Sequence, residues 1–214
     1  MVLEGDAGDV TPAQRQLLEE AFTSSERMVH LIGDFLNVSR LQTGKFMIER
    51  HPVDIARVIE QEVDGMKQIA SSHGIKLTLK KPARVPTLYL DENKIRQVMM
   101  NFIDNAIYYS PEGTPVRVTM QVEDGDIVFR VIDKGMGVPE ASQKKLFTKF
   151  FRAENARKQR PDGTGIGLYL AKRIVDGHHG KLVFESTVGK GSTFGFRLPV
   201  KRLSTPPKPE STDE

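Results

Sequence analysis

Three glycines on alternate positions, Gly163-Thr164-Gly165-Ile166-Gly167, run straight into the amphipathic stretch Leu168-Tyr169-Leu170-Ala171-Lys172-Arg173-Ile174. A run of this kind forces a tight loop that delivers the chain into a helix start. Glycine reaches positive φ and lets backbone N–H groups approach a neighbour closely, while the free N–H groups and the dipole at a helix start favour negative charge. Alone, the run serves equally as a phosphate cradle or as a tight turn with no ligand. The rest of the chain has to choose between them.

The elements around it mix without regular alternation. Thr11-Pro12 is an N-cap followed by proline at the first helical position. From there to about residue 43, Leu17, Ala21, Met28, Leu31, Ile32, Phe35, Val38 and Leu41 recur at steps of three and four, one long helix that Gly44 ends. Such a stripe either packs on its own domain or is half of a helical hairpin, and its length favours the hairpin. A short strand is expected within 46–53, then a helix from the Asp54 cap to Ser72 with Ile55, Val58, Ile59, Val63, Met66 and Ile69 on one face, stopped by Gly74. Strands at 75–80 and 88–90 precede a helix that Asp91 caps and that runs to Tyr109.

Strands at 116–122 and 127–132 flank the hairpin signal Asp124-Gly125-Asp126. A loop at 133–139 leads to a short helix near 141–147, and 148–162 is basic, polar and without period, a mobile loop. The helix after the glycine run is expected over 165–176 with Gly177 as its cap, and two strands follow at 181–186 and 193–199. The order predicts an α+β two-layer sandwich, not a doubly wound parallel sheet. Its parts are a helical arm over 1–45, a globular domain over 46–202 and a disordered tail over 203–214 rich in proline, serine and threonine.

Composition narrows the chemistry. The absence of cysteine removes disulfides, thiolate nucleophiles and thiolate-held zinc. A net charge of +3 neither demands nor excludes an anionic partner. No apolar run spans a bilayer and no signal-peptide pattern opens the chain, so a cytoplasmic setting is expected, an anchor elsewhere in an intact protein being left open.

Three segments ahead of the glycine run carry polar groups in patterns that suit a nucleotide. Asn101 and Asn105, four apart on the Asp91 helix, share a face, and an amide carbonyl is a hard oxygen ligand for Mg²⁺. Asp133-Lys134-Gly135-Met136-Gly137 sits at a strand end, where a carboxylate can accept a proton from an exocyclic amine. Phe147-Thr148-Lys149-Phe150-Phe151-Arg152 offers aromatics to anchor a loop and an arginine for a phosphate. Singly, each has an ordinary explanation: a hydrogen-bonded asparagine, a glycine turn, core aromatics.

In this order the four segments resemble the N, G1, F and G2 boxes of the Bergerat nucleotide-binding fold, and within it the ATP-binding catalytic domain of sensor histidine kinases. Arg40-Leu41-Gln42-Thr43-Gly44-Lys45 resembles the end of the second helix of the dimerization and histidine-phosphotransfer hairpin, and Gly189-Lys190-Gly191-Ser192-Thr193-Phe194 with Leu198-Pro199 resembles the closing strands. The likeness runs over about residues 1–202. It implies ATP and Mg²⁺ as cofactors, with Asn105 on the metal and Asn101 on the phosphate side. Tyr109 would lie against adenine or ribose, Asp133 would take the adenine amine, and Gly135 and Gly137 would line the base. Arg152 would reach the terminal phosphate, and the amides around Gly163, Gly165, Gly167 and Leu168 the phosphate chain, with 148–162 as the ATP lid. Its implied partners are a response-regulator receiver domain and a second copy through the hairpin, with no nucleic acid.

Two departures stand out. Tyr108 occupies a position where the family often has a phosphate-contacting lysine, a loss that Lys149, Arg157 or Lys158 of the lid could offset. The family's acceptor motif, a histidine followed by an acidic residue, Leu-Arg and Thr-Pro, is not in the sequence, and residues 1–8 resemble the end of the helix that would carry it. None of His30, His51, His73, His178 and His179 stands in acceptor context, and no metal spacing links them. The implied function is transfer of the ATP γ-phosphoryl to a histidine and thence to a response regulator, the acceptor coming from elsewhere. A nucleotide-sensing module without catalysis is the alternative, and a repair or topoisomerase ATPase a more distant one.

Overall fold

The structure, a computed structural model, describes residues 8, 10–82, 84–161 and 163–206. The expectations for 1–7, for Asp162 and for the tail beyond 206 lie outside them. The chain divides into two compact units, residues 1–46 and 47–214.

The first unit is the helix α1 (Pro12–Gln42). Its start is a capping box: the Thr11 side chain accepts from the Gln14 N–H, and the Gln14 side chain accepts from the Thr11 N–H at 2.9 Å. Its end is a Schellman turn, with Gly44 at φ 70° and the Lys45 N–H donating to the Arg40 carbonyl at 2.8 Å. Leu17, Phe22, Met28, Ile32, Phe35 and Leu36 are all at least half exposed along this helix.

The second unit holds, in order, β1 (His51–Val53), α2 (Ile55–Ser72), β2 (Lys76–Lys80), β3 (Leu88–Leu90), α3 (Glu92–Tyr109), β4 (Pro115–Glu123), β5 (Asp126–Ile132), α4 (Glu140–Gln143), α5 (Glu154–Gln159), α6 (Gly167–Gly177), β6 (Lys181–Thr187), β7 (Gly191–Pro199) and α7 (Val200–Leu203). Five strands form one mixed sheet in the order β2-β4-β5-β7-β6, in which only β2 and β4 run parallel, and β1 pairs with β3 in a small separate ribbon.

Strand alternation makes the two layers. Register places Leu79, Val118, Val131, Phe194 and Phe184 in one row across all five strands, and Met120, Phe129, Phe196 and Leu182 in the next. The Phe129 and Phe196 rings stack at 4.9 Å and are fully buried. The intervening row, Thr119, Arg130, Gly195 and Val183, belongs to the opposite face. The helices α2, α3 and α6 cover the apolar side, with α3 packed between α2 and α6. This is the α+β two-layer sandwich the sequence predicts.

Local differences have identifiable causes. The expected strand within 46–53 is reduced to His51–Val53, and Ile69 of α2 is exposed while Ala56 and Ala70 are buried in the apolar face. The short helix near 141–147 covers only Glu140–Gln143. Gly177 is the last residue of α6, not its cap: His178 caps the helix and His179 takes the left-handed conformation, φ 56°. A Cβ on Gly177 would meet the Ile48 side chain at 2.8 Å, so that glycine serves packing. The 148–162 segment contains α5, whose single turn and a half is too short to print a period in the sequence. The helix α7 buries Leu203 fully.

Candidate nucleotide site

Helix α3 is the hub of the four segments. The Asp91 side chain caps it, accepting from the Lys94 N–H and Nζ, and also accepts from the Glu49 N–H at 3.1 Å, so its start is tied to the chain before β1. Its inner face is the buried set Ile95, Val98, Met99, Phe102, Ile103, Ala106 and Ile107. Asn101, Asn105 and Tyr109 follow one another at four-residue steps beside that face, partly exposed. The Asn105 Nδ2 donates to Asn101 Oδ1 at 3.3 Å, and Asn105 Oδ1 takes no hydrogen bond from the described residues.

The glycine run meets α3 at this pair. A Cβ on Gly167 would collide with the Asn101 side-chain amide, so glycine lets the start of α6 lie against that amide as it stands. Gly165, at φ 70°, turns its carbonyl to the Phe150 N–H (3.0 Å), and a Cβ there would strike the Phe150 and Phe151 backbone. The helix α6 has no side-chain cap, so its first N–H groups, at Gly167 and Leu168 among them, face outward with the positive end of the helix dipole. These are the conditions for anion binding at a helix start.

Asp133 stands just beyond the end of β5. Its Oδ1 accepts from the Gly135 N–H at 2.7 Å and the Ser192 N–H at 3.0 Å, leaving Oδ2 without a partner among the described residues. The residue is only 7% exposed, and burial holds its carboxyl above the usual aspartate range against the lowering pull of those two amides. The glycines of this loop answer to the protein itself. A Cβ on Gly135 would sit 2.5 Å from the Tyr109 carbonyl, and one on Gly137, at φ 68°, would strike the Thr187 backbone. The loop therefore tucks under the C-terminal end of α3, which brings Asp133, Gly135 and Tyr109 together.

The 148–161 stretch closes the ring of contacts. Phe147 packs edge-on against Phe184 at 5.7 Å, in a cluster that continues to Phe194 and Phe102. Phe150, with φ 63°, is more than half exposed and lies under the Lys149 ammonium. The Arg152 guanidinium donates to the carbonyls of Ala156 (3.0 Å), Arg160, Pro161 (3.0 Å) and Gly163 (2.9 Å). It gathers the segment around itself.

Sequence reasoning missed the contacts that hold this segment down. Asn155 Nδ2 donates to the Gly137 carbonyl at 2.9 Å. The Tyr108 hydroxyl donates to the Gln159 carbonyl and the Gln159 side chain to the Tyr108 carbonyl, both at 3.2 Å, while Arg160 lies over the Tyr108 ring at 4.6 Å and pairs with Asp104 at 2.7 Å. Of the lid cations that could offset Tyr108, Lys158 pairs with Glu154 in solvent and Lys149 lies over the Phe150 ring. The one signal available was the four-residue spacing of Asp104 and Tyr108; nothing in the sequence marked their partner.

The histidine after α6 is structural. His178 is fully buried, with Nδ1 against the Ile174 carbonyl (2.8 Å) and Nε2 accepting from the Asp91 N–H (2.9 Å). Burial, with help from the nearby Arg50 charge, pushes its pKa down to about 4, so it is neutral near pH 7.

The model of the histidine kinase-, DNA gyrase B- and HSP90-like ATPases matches residues 90–202. The circadian input-output histidine kinase CikA of Synechococcus elongatus is 33% identical over 205 residues, which are 94% of this chain and 27% of that protein. The adaptive-response sensory kinase SasA of a Synechococcus species is 35% identical over 202 residues, 94% of this chain and 53% of that protein. The chain thus spans about a quarter to a half of these relatives' lengths. Among solved structures, full-length ShkA in complex with AMPPNP superposes with a TM-score of 0.75 at 27% identity, over 96% of this chain and 42% of that one. With the family model covering more than half of its 214 residues and the site boxes assembled around α3, the chain belongs to the histidine kinase-, DNA gyrase B- and HSP90-like ATPases, as an ATP-binding domain of the sensor histidine kinase kind.

Proposed function

We propose that this chain is the ATP- and Mg²⁺-binding catalytic portion of a two-component sensor histidine kinase, whose γ-phosphoryl group passes to a histidine and then to the receiver domain of a response regulator. The observation that carries the reading is the contact chain Asn105–Asn101–Gly167, which sets an amide carbonyl that takes no hydrogen bond from the described residues near a helix start with no side-chain cap. That pairing suits a metal-bound polyphosphate and little else.

The donor set fits such a metal. No group of three or more histidines, aspartates and glutamates suited to a metal ion occurs among the described residues. A cation here would rest on Asn105 Oδ1 and on the nucleotide's own oxygens, the coordination Mg²⁺ favours. When bound, it would neutralise charge on the phosphates during transfer. The chain's residues would do the positioning: Asp133 Oδ2 takes the adenine amine, Tyr109 flanks the base or ribose, and the amides from Gly163 to Leu168 hold the phosphate chain. Gly135 and Gly137 let the base-side loop pack under α3. Arg152 acts on phosphate indirectly, by holding the lid's backbone together.

The exposed apolar residues of α1 support a hairpin helix that pairs within a homodimer, with the acceptor histidine on its companion helix. No helix among the described residues is long and apolar enough to cross a membrane. The kinase names of the relatives favour catalysis over nucleotide sensing alone.

The test is a titration with a fluorescent ATP analogue with and without Mg²⁺, followed by incubation with labelled ATP and a separate histidine-bearing hairpin. Mg²⁺-dependent binding and acid-labile label on the hairpin are expected, with none on this chain. Steady hydrolysis without any acceptor would overturn the kinase assignment.

A further inference from the structure

We propose that Tyr108, Asp104 and Arg160 form a latch that holds the 151–161 segment down on α3 before nucleotide arrives, and so sets how fast nucleotide enters and leaves. The latch is formed in the ligand-free protein and closes again over bound nucleotide, and its effect on exchange rests on the nucleotide reading given above.

Two sets of contacts define it. Inside the segment, the Arg152 guanidinium collects four carbonyls, from Ala156 to Gly163, so α5 and its flanks move as one piece. Outside it, that piece is fastened to α3 at its C-terminal end. Asp104 and Tyr108 are four residues apart and share a helix face. A single guanidinium serves both, with its Cζ over the Tyr108 ring at 4.6 Å and a nitrogen 2.7 Å from the Asp104 carboxylate. The reciprocal hydrogen bonds between Tyr108 and Gln159 add two more ties at the same point.

The strength suits a latch. Asp104 is 41% and Arg160 30% exposed, so the ion pair is screened by water and the stacking contact is weak taken singly. Four such ties on one rigid piece act together, yet they release without unfolding anything. Their position matters as much. Asp104 and Tyr108 stand next in sequence to Asn105 and Tyr109, so the fastened segment borders the nucleotide site along α3.

The experiment is stopped-flow binding of Mg²⁺ and a fluorescent ATP analogue to the whole chain. The variants are Tyr108→Phe, which removes only the hydroxyl, Tyr108→Leu, which removes the ring as well, Arg160→Met, and the double variant Tyr108→Leu/Arg160→Met. Entry and release both accelerate, about threefold in Tyr108→Phe and about tenfold in the others, a ratio that leaves Kd nearly unchanged; tenfold corresponds to ~1.4 kcal/mol. The double variant is no faster than either parent, because both remove one latch. Faster release with unchanged entry would overturn the latch and make Arg160 a nucleotide contact, and additive or absent rate effects would also overturn it. Amide exchange over 154–160 in nucleotide-free protein quickens in the same variants. That readout needs no nucleotide: a wild-type chain that bound none would defeat the functional reading, whereas unchanged exchange would defeat the latch.

Discussion

The side chain of Asn101 and the backbone of Gly167 adjoin so closely that a Cβ on Gly167 would fall on the Asn101 amide nitrogen. Asn101 can swing away only by giving up the bond its Oδ1 accepts from Asn105. The Gly167→Ala variant therefore breaks the asparagine pair or shifts the start of α6 slightly, at a cost of about 0.5–1.5 kcal/mol. Nucleotide affinity falls by roughly tenfold or more while the far-ultraviolet spectrum stays native. Gly65→Ala is the control: nothing lies within 4 Å of its Cβ, and helix propensity makes that change stabilising by about 0.5–1 kcal/mol. Thermal melts and fluorescence titration check both.

Asn105 offers the oxygen that the Mg²⁺ assignment needs. In Asn105→Ala the dependence of nucleotide affinity on Mg²⁺ disappears, and affinity in the presence of the metal drops toward the metal-free value. Unchanged Mg²⁺ dependence would count against the assignment. The fold is expected to persist, because the side chain is partly exposed and makes a single 3.3 Å hydrogen bond among the described residues.

Arg152→Lys keeps the charge and loses the fork. One ammonium cannot serve the carbonyls of Ala156, Arg160, Pro161 and Gly163 that the guanidinium serves. Bonds from a charged donor are worth about 1.5–3 kcal/mol when buried and less at this part-exposed site. The segment opens more often, so tryptic cleavage after Arg157 and Lys158 speeds up by roughly tenfold. Cleavage at the wild-type rate would return Arg152 to an outward role.

Acid will find His178. The unfolded chain takes up this proton near pH 6.5, and the folded one only near about 4. Between those values the unfolded state binds more protons, so stability falls as pH falls and is fully restored above pH ~6.5. The full difference is about 3 kcal/mol, and at pH 5 about 2 kcal/mol of it is already lost. Urea denaturation of wild type and His178→Gln at pH 7.5 and 5 isolates the contribution: the variant starts less stable and loses about 2 kcal/mol less on acidification.

The sequence by itself determined the local elements and the kind of site. Caps at Thr11, Asp54 and Asp91, the breaker glycines Gly44 and Gly74, and the Asp124-Gly125 hairpin are all encoded within a few residues, and each structure they predict is present. The four boxes were legible for a related reason: their chemistry rests on residue type and order along the chain. Where each side chain points was not legible. That Gly135 and Gly137 make room for the protein's own backbone, that Arg152 turns inward, and that His179 holds a left-handed position depend on atoms far away in sequence. The clasp of Tyr108 and Arg160 spans 52 residues, counted from their numbers, and no period or motif joins them. Packing of distant segments around α3 decided it, because a side chain's partner is set by which surfaces the core brings together.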